Sequence, residues 1–366
     1  MSAPPPTDSP FHVVAAAFFG KGDGLHLDPF VVDGRLFIHR TALEFRDGAF
    51  VEGQVTLPEE SVAGDVESEL WSIKPNPLGG TLIHWKPGYS EWQPAGFALR
   101  QDPVDWRFRW VRLQPWTPNK ILVIDQVELT PPRRELWVWE ASPRPHAVRL
   151  RTKQGMGIGP ALTLESGELL IAGDVDKDQL AYLARWKPGG REPKVTLLGS
   201  GHCHPSALAS EGGSRLLVVG SATDDAACAM RFDGTSWSPI ALPDGHNAAT
   251  SYARAPDGSE WITMRRGKVD RLWTRSRDEA WQPIPFPPDL LPGLKDLSAS
   301  VFVQPDGHVW LSVHARVCTG YHESLLTTET PRRGICLLPG PHPTCAPLDD
   351  YARSWRSWVA AADCGD

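Results

Sequence analysis

The chain has 366 residues, a net charge of −7 and a pI near 6.0, and this acidic balance excludes nucleic acid as the main partner, because phosphate binding needs a basic surface. With 33 Gly and 35 Pro against 4 Met, the composition favours many turns and few long helices. No apolar run approaches the roughly 20 residues that would cross a bilayer. The first apolar segment has no positive charge ahead of it, so no membrane association or secretory leader is expected and the cytoplasm is the expected location.

Residues 1–10 are polar and Pro-rich and are expected to be disordered. Phe11 to Phe19 is a strand-forming segment that precedes the first repeat. Then a four-strand template recurs. It is clearest from Ser206 to Leu242, where SALAS, RLLVVGS, ACAMRF and WSPIAL are separated by turns. Laid along the chain, its apolar second strand starts at Leu36, Leu70, Ile121, Leu169, Leu216, Trp261 and Val309. The last five anchors are 48, 47, 45 and 48 residues apart, an interval that fits blade-like repeats. Gly turns precede most anchors (Gly34, Gly167, Gly213, Gly258 and Gly307), and Gly supplies the positive φ of a tight hairpin.

A lone four-stranded sheet exposes two apolar faces, and radial stacking buries them. The expected fold is therefore all-β: a seven-bladed β-propeller over residues 11–346, with four antiparallel strands per blade. The count becomes six if the second unit, whose inner strand near Ser61 to Glu67 is ill defined, is only partial. The segment Phe11–Phe19 is expected to add an outermost strand to the last blade, after RGICLLPG, and to close the ring. Residues 347–366 place Leu348, Tyr351, Trp355, Trp358 and Val359 at helical spacing, so a short amphipathic C-terminal helix is expected. Six cysteines in a chain of this length, with no CxxC among them, are read as free thiols rather than a disulfide framework, with a tail staple such as Cys345 to Cys364 as the alternative.

The phrases IHWKPGYSEW, ARWKPGG and RFDGTSW, each following an apolar second strand, resemble the aromatic, turn, Trp pattern of kelch-like bacterial propeller repeats. The resemblance departs in its Gly-Gly doublets, which fall at Gly79, Gly189 and Gly212 and not at one fixed place in the repeat. It implies a propeller, a fold with varied functions. Several of the 16 tryptophans, Trp85, Trp92, Trp186, Trp237, Trp273 and Trp281, sit at one repeated place and are read as filling between blades, while Trp106, Trp110 and Trp116 are the candidates for an exposed binding surface.

In such a ring, first-strand starts and second-to-third-strand loops converge at one end of the central channel. The template puts Asp174, Asp176, Asp224, Asp225, Arg265 and Asp296 there as candidate ligand contacts. It also puts His202, His204, His246 and His314 there, with His322-Glu323 on a longer loop. Imidazoles beside carboxylates are the donor set for Zn, Fe, Mn or Cu. Asp174, Asp176 and Asp178 do not continue as a calcium loop, because Gln179 stands where Gly is needed. No nucleophile elbow, HExxH or P-loop is present. Two readings follow. The first is a monomeric propeller that binds a protein or small-molecule ligand through its loop-bearing face. The second is a metal-dependent lyase, hydrolase or oxygenase built on the four histidines.

Overall fold

The computed structural model describes residues 9–19, 29–32, 34–38, 42–58, 62–74, 81–98, 106–117, 120–129, 133–140, 147–150, 159–175, 180–187, 194–197, 203–222, 224–276, 279–287, 296–317, 320–329, 335–338 and 344–346. Among them the chain is all-β, and no helix is long and apolar enough to cross a membrane. The expected C-terminal helix, the N-terminal residues 1–8, His202, Asp176 and Asp178 lie outside the described residues.

The N-terminal strand is β1 (His12–Phe19). Four-stranded antiparallel sheets in chain order follow, the arrangement of a β-propeller. The first holds β2 (Pro29–Val32), β3 (Arg35–Ile38), β4 (Leu43–Arg46) and β5 (Ala49–Glu52). The second holds β6 (Val62–Asp65), β7 (Glu69–Lys74), β8 (Thr81–Trp85) and β9 (Gln93–Ala98), so the ill-defined inner strand exists but is short. Next come β10 (Trp106–Thr117), β11 (Lys120–Leu129), β12 (Arg133–Glu140) and β13 (Ala147–Leu150). They are followed by β14 (Ala161–Thr163), β15 (Leu169–Val175), β16 (Leu180–Trp186) and β17 (Lys194–Leu197). The fifth sheet is β18 (Cys203–Gly212), β19 (Arg215–Ala222), β20 (Ala227–Phe232) and β21 (Trp237–Pro239).

The last strands join one larger sheet. It contains the meander β22 (Ala248–Arg254), β23 (Glu260–Arg266), β24 (Val269–Arg275) and β25 (Gln282–Ile284), then β26 (Asp296–Val303), β27 (Val309–Val317) and β28 (Gly320–Thr327). Among the described residues one parallel ladder pair, Val269 with Leu297, joins the two meanders. The hairpin β29 (Ile335–Leu338) and β30 (Thr344–Ala346) completes the sheet. The N-terminal strand does pair with this last meander, but in a different place from that expected. It runs antiparallel to β28 and lies inside β29, which it meets in parallel. Small side chains explain the position. Ala15, Ala16 and Ala17 are fully buried, so β1 fits between two neighbours and packs on both faces.

Every predicted anchor is on a strand, and the Gly turns have the required backbone. Gly34, Gly167, Gly258 and Gly307 take φ of 72°, 77°, 88° and 94°. The chain divides into two compact units: Met1–Gly53, Asp225–Cys228 and Ala241–Asp366 form one, and Gln54–Asp224 with Ala229–Ile240 form the other. In the first, apolar residues of β3 to β5 (Leu36, Ile38, Phe45, Phe50) pack on Val14, Ala15, Ala17, Trp310 and Leu325. Gln304 reinforces this seam. It accepts from Trp310 Nε1 (2.7 Å) and donates to the Gly34 carbonyl (3.1 Å). In the second unit, Trp71, Ile73 and Leu82 pack on Leu113, Ile121 and Val123, and Leu122 and Ile124 pack on Leu169, Tyr182 and Trp186. Sheet-on-sheet burial of this kind is the main stabilising term, at about 25 cal/mol per Å² of apolar surface.

An ion pair also repeats with the strands. Glu69, Glu168 and Glu260 immediately precede the anchors of their second strands, and each meets a base on the third strand or just after it: Lys86 at 3.3 Å, Arg185 at 3.2 Å, and Arg275. In the first sheet the pair is reversed, with Arg35 and Arg46 on buried Glu44 at 2.7 and 2.8 Å. Burial alone would raise the Glu44 pKa, but hydrogen bonds from both guanidinium groups outweigh it and hold the carboxyl below its ordinary range. Cys203 and Cys228 are disulfide-bonded, and no described cysteine is free. That overturns the free-thiol expectation for these two. Spacing along a long chain carries no information about which cysteines enter disulfides.

Candidate functional site

In the first compact unit, β23 ends at Arg266, a Gly267-Lys268 turn follows, and β24 begins at Val269. Antiparallel alternation puts the starts of β22 and β26 and the end of β27 at the same end of their sheets. Asn247 holds the corner. Its Oδ1 accepts from Gly267 N (2.9 Å) and its Nδ2 donates to the carbonyl of Asp225 (3.5 Å). Asp225 is exposed and has a φ of 58°, which a short polar side chain tolerates in a loop.

Asp270 on β24 is 0% exposed. Its carboxylate accepts from Arg265 Nε (2.8 Å) and Nη2 (3.2 Å), from the Ala299 amide (2.9 Å) and from Thr250 Oγ1 (3.4 Å). Ser251 Oγ likewise accepts the Val301 amide (2.8 Å), and Thr263 Oγ1 bridges Ser251 (2.6 Å) and Thr250 (2.8 Å). The cause lies in the backbone. Among the described residues the inner edge of β26 has one ladder pair, with β24, and side chains from the preceding meander satisfy its Ala299 and Val301 amides. Because Asp270 is buried, it needs a cation. The Arg265 side chain supplies one while remaining 40% exposed. Donating to Asp270 raises the Arg265 pKa further, so the guanidinium is permanently charged.

Arg265 Nη2 also reaches Ser298 Oγ (3.4 Å), and Ser298 lies directly opposite His314. His314 Nδ1 faces Glu323 Oε1 (2.9 Å), and its Nε2 faces Ser312 Oγ (3.2 Å). Arg266, Lys268 and Arg316 are exposed at the same end of these strands, with Lys268 Nζ 3.7 Å from Asp296. Arg265 and His314 thus lie on either side of Ser298, and Asn247 and Lys268 tie Asp225 and Asp296 to the same end of the unit.

The other candidates are placed differently. His246 is buried. Its Nδ1 is 3.1 Å from the Pro243 carbonyl, its ring packs edge-on to Trp273 at 5.5 Å, and its Nε2 has no hydrogen-bond partner among the described residues. Asp224 is exposed, and Asp174 lies within β15 opposite Ala181. His204 lies on β18 opposite Ser221, where Gly220 lets the strands approach closely. A Cβ on Gly220 would stand 1.7 Å from the His204 carbonyl oxygen. Among the described residues no group of three or more His, Cys, Asp or Glu is gathered as a metal site. His322 and Glu323 are in β28 and are buried there, not on a loop.

Asp270, Ser298, Ser312 and Thr250 were missed from the sequence, where they look like ordinary polar strand positions. The alternation in DLSASVFV and VDRLW was the available signal. It put Ser298 and Ser300 on one face of β26 and left Asp270 in an apolar run.

No family model and no curated protein matches the chain. Among solved structures, the six-bladed propeller lectin of Aleuria aurantia, whose structure reports fucose recognition, is 15% identical, with a TM-score of 0.45 over 78% of this chain and 99% of that one. The AofleA protein of Arthrobotrys oligospora is 11% identical, with a TM-score of 0.43 over 70% of this chain and 79% of that one. TolB of Acinetobacter baumannii is 14% identical, with a TM-score of 0.42 over 72% and 64%.

Proposed function

We propose that the chain is a seven-bladed propeller that binds a small anionic ligand at the end of the sheets where Arg265 emerges. Six consecutive four-stranded units and a last one, in which β26–β28 are extended by β1 and the hairpin β29–β30, support the blade count. The observation that carries the binding reading is the preorganised guanidinium. Asp270 holds Arg265 Nε and Nη2, which leaves Nη1 without a hydrogen bond among the described residues and fixes its direction before any ligand arrives. Arg266, Lys268 and Arg316 would strengthen the attraction of an anion, which a desolvated charge-assisted hydrogen bond then holds. The metal-dependent alternative has no donor cluster behind it among the described residues. Disulfide bonding of Cys203 and Cys228 supports an oxidising compartment, rather than the cytoplasm, as the place of action.

The test is a calorimetric and saturation-transfer NMR screen of small carboxylates, acidic sugars and neutral sugars, repeated on Arg265→Lys. This variant keeps a cation beside Asp270 but loses the planar fork. A ligand bound by the wild type should lose affinity by about 10-fold or more in the variant, in line with one charge-assisted bond. An anionic ligand bound equally by both proteins would refute the assignment.

A further inference from the structure

The geometry points to a second activity in the same unit: Ser312, His314 and Glu323 form a nucleophile, base and acid relay able to cleave a small carboxylic ester. Ser312 and His314 are two residues apart on β27 and so face the same way. Glu323 is directly opposite His314 on β28. The carboxylate Oε1 is 2.9 Å from His314 Nδ1, and Nε2 is 3.2 Å from Ser312 Oγ. A carboxylate at Nδ1 holds the proton on that nitrogen, so Nε2 carries the lone pair and accepts from the hydroxyl. Glu323 is 3% exposed and the His314 side chain 35%, so the orienting acid is shielded while the base can be reached from outside.

The surroundings differ from those of a purely structural network. Ser251 and Thr250 bond backbone groups of the fold, whereas the hydroxyl of Ser312 has only His314 as a hydrogen-bond partner among the described residues. The neighbouring strand presents Ser298 opposite His314 and Ser300 opposite Ser312, both exposed. An acyl group can approach Ser312, itself 5% exposed, over these small side chains, and their hydroxyls are donors for a developing oxyanion. A contrast lies on β28, beside Leu325, the residue opposite Ser312. His322 Nε2 is 2.9 Å from Ser324 Oγ, but both residues are buried at 0% and 1% exposure, so this pair has the chemistry without the access.

The reaction is acyl transfer to water. Ser312 Oγ bonds to the ester carbonyl carbon as its proton passes to His314 Nε2. The carbon–oxygen bond to the alcohol then breaks, and the alcohol leaves with that proton. Water attacks the acyl-serine and gives one proton to His314, which returns it to Ser312 Oγ as the carboxylic acid departs. No oxidant, reductant or metal is required. The relay uses neither Arg265 Nη1 nor the ligand contact proposed above, so either reading can fail alone.

The test is covalent. The full chain is incubated with an alkyl fluorophosphonate, which would form an Oγ–P bond as the P–F bond breaks, and is then digested with trypsin and mapped by mass spectrometry. Ser298, Ser300 and Ser312 share the tryptic peptide 296–316, and fragmentation separates them. The expected result is one adduct per chain, on Ser312, with parallel loss of p-nitrophenyl acetate hydrolysis. His314→Ala, with an unchanged melting transition, should slow labelling by about 100-fold or more. No adduct on the wild type, or an adduct on Ser298, Ser300 or any other residue instead, overturns the proposal. The wild-type map decides this even if the variant fails to fold.

Discussion

Removing either partner of the Arg265–Asp270 pair should cost stability unequally, and the inequality follows from burial. Asp270→Ala deletes a fully buried acceptor. The Ala299 amide, now bonded to it at 2.9 Å, would lose its partner in the interior, at about 1–3 kcal/mol. The guanidinium left behind is 40% exposed and rehydrates, so the lost ion pair adds no more than about 1 kcal/mol. The sum is about 1–4 kcal/mol. Arg265→Ala instead leaves a carboxylate at 0% exposure with only the Ala299 amide and the Thr250 hydroxyl. Stranding a buried charge costs about 3–5 kcal/mol. Urea unfolding followed by tryptophan fluorescence gives both differences from the midpoints, provided the m-values agree. If Asp270→Ala lies within 0.5 kcal/mol of wild type, or is the costlier of the two, the carboxylate is not the keystone described here.

Two further outcomes follow from the same unit. Burial, with a smaller opposing effect from Glu323 and a reinforcing one from His314, lowers the His322 pKa to about 3 from 6.5. The native imidazole therefore stays neutral while the unfolded one takes up a proton below pH 6.5. Stability should be unaffected by this group above that pH and should fall by about 1.4 kcal/mol per unit on acidification toward pH 3. Urea titrations between pH 4 and 7 should show His322→Gln with a slope shallower by one proton, and equal slopes would contradict the assignment. Removing residues 1–19 takes β1 from between β28 and β29 and uncovers Leu325, Leu326 and Trp310. The truncated chain should then be aggregated in size-exclusion chromatography, and a soluble chain of unchanged melting temperature would show that β1 is dispensable.

The strands and their grouping were written in local sequence. A hairpin needs only alternating apolar residues and a turn that permits its backbone, so Leu36, Leu70, Ile121, Leu169, Leu216, Trp261 and Val309 and the glycines before them marked the second strands without tertiary information. The repeated acid before three of those anchors was equally visible and went unused; Glu69, Glu168 and Glu260 share one offset because they perform one pairing. Convergence of Arg265, Asp296 and Asp225 on one end could be inferred because alternation of antiparallel strands fixes which ends coincide.

The tertiary structure decided whatever depends on the neighbour a strand acquires. Nothing in VDRLW says that Asp270 will face the unpaired amides of another meander, and nothing near Phe11 says that β1 will lie inside β29. Nor does the sequence say that His246 will be buried against Trp273 while His314 keeps a Ser and a Glu on its two ring nitrogens. The sequence by itself determined the repeat, its turns and the end of the sheets where polar residues gather, because these are local. Which of those residues meet, and so what chemistry they can perform, was decided by packing between segments far apart in the chain, a matter of shape and unsatisfied backbone groups that no spacing along the sequence records.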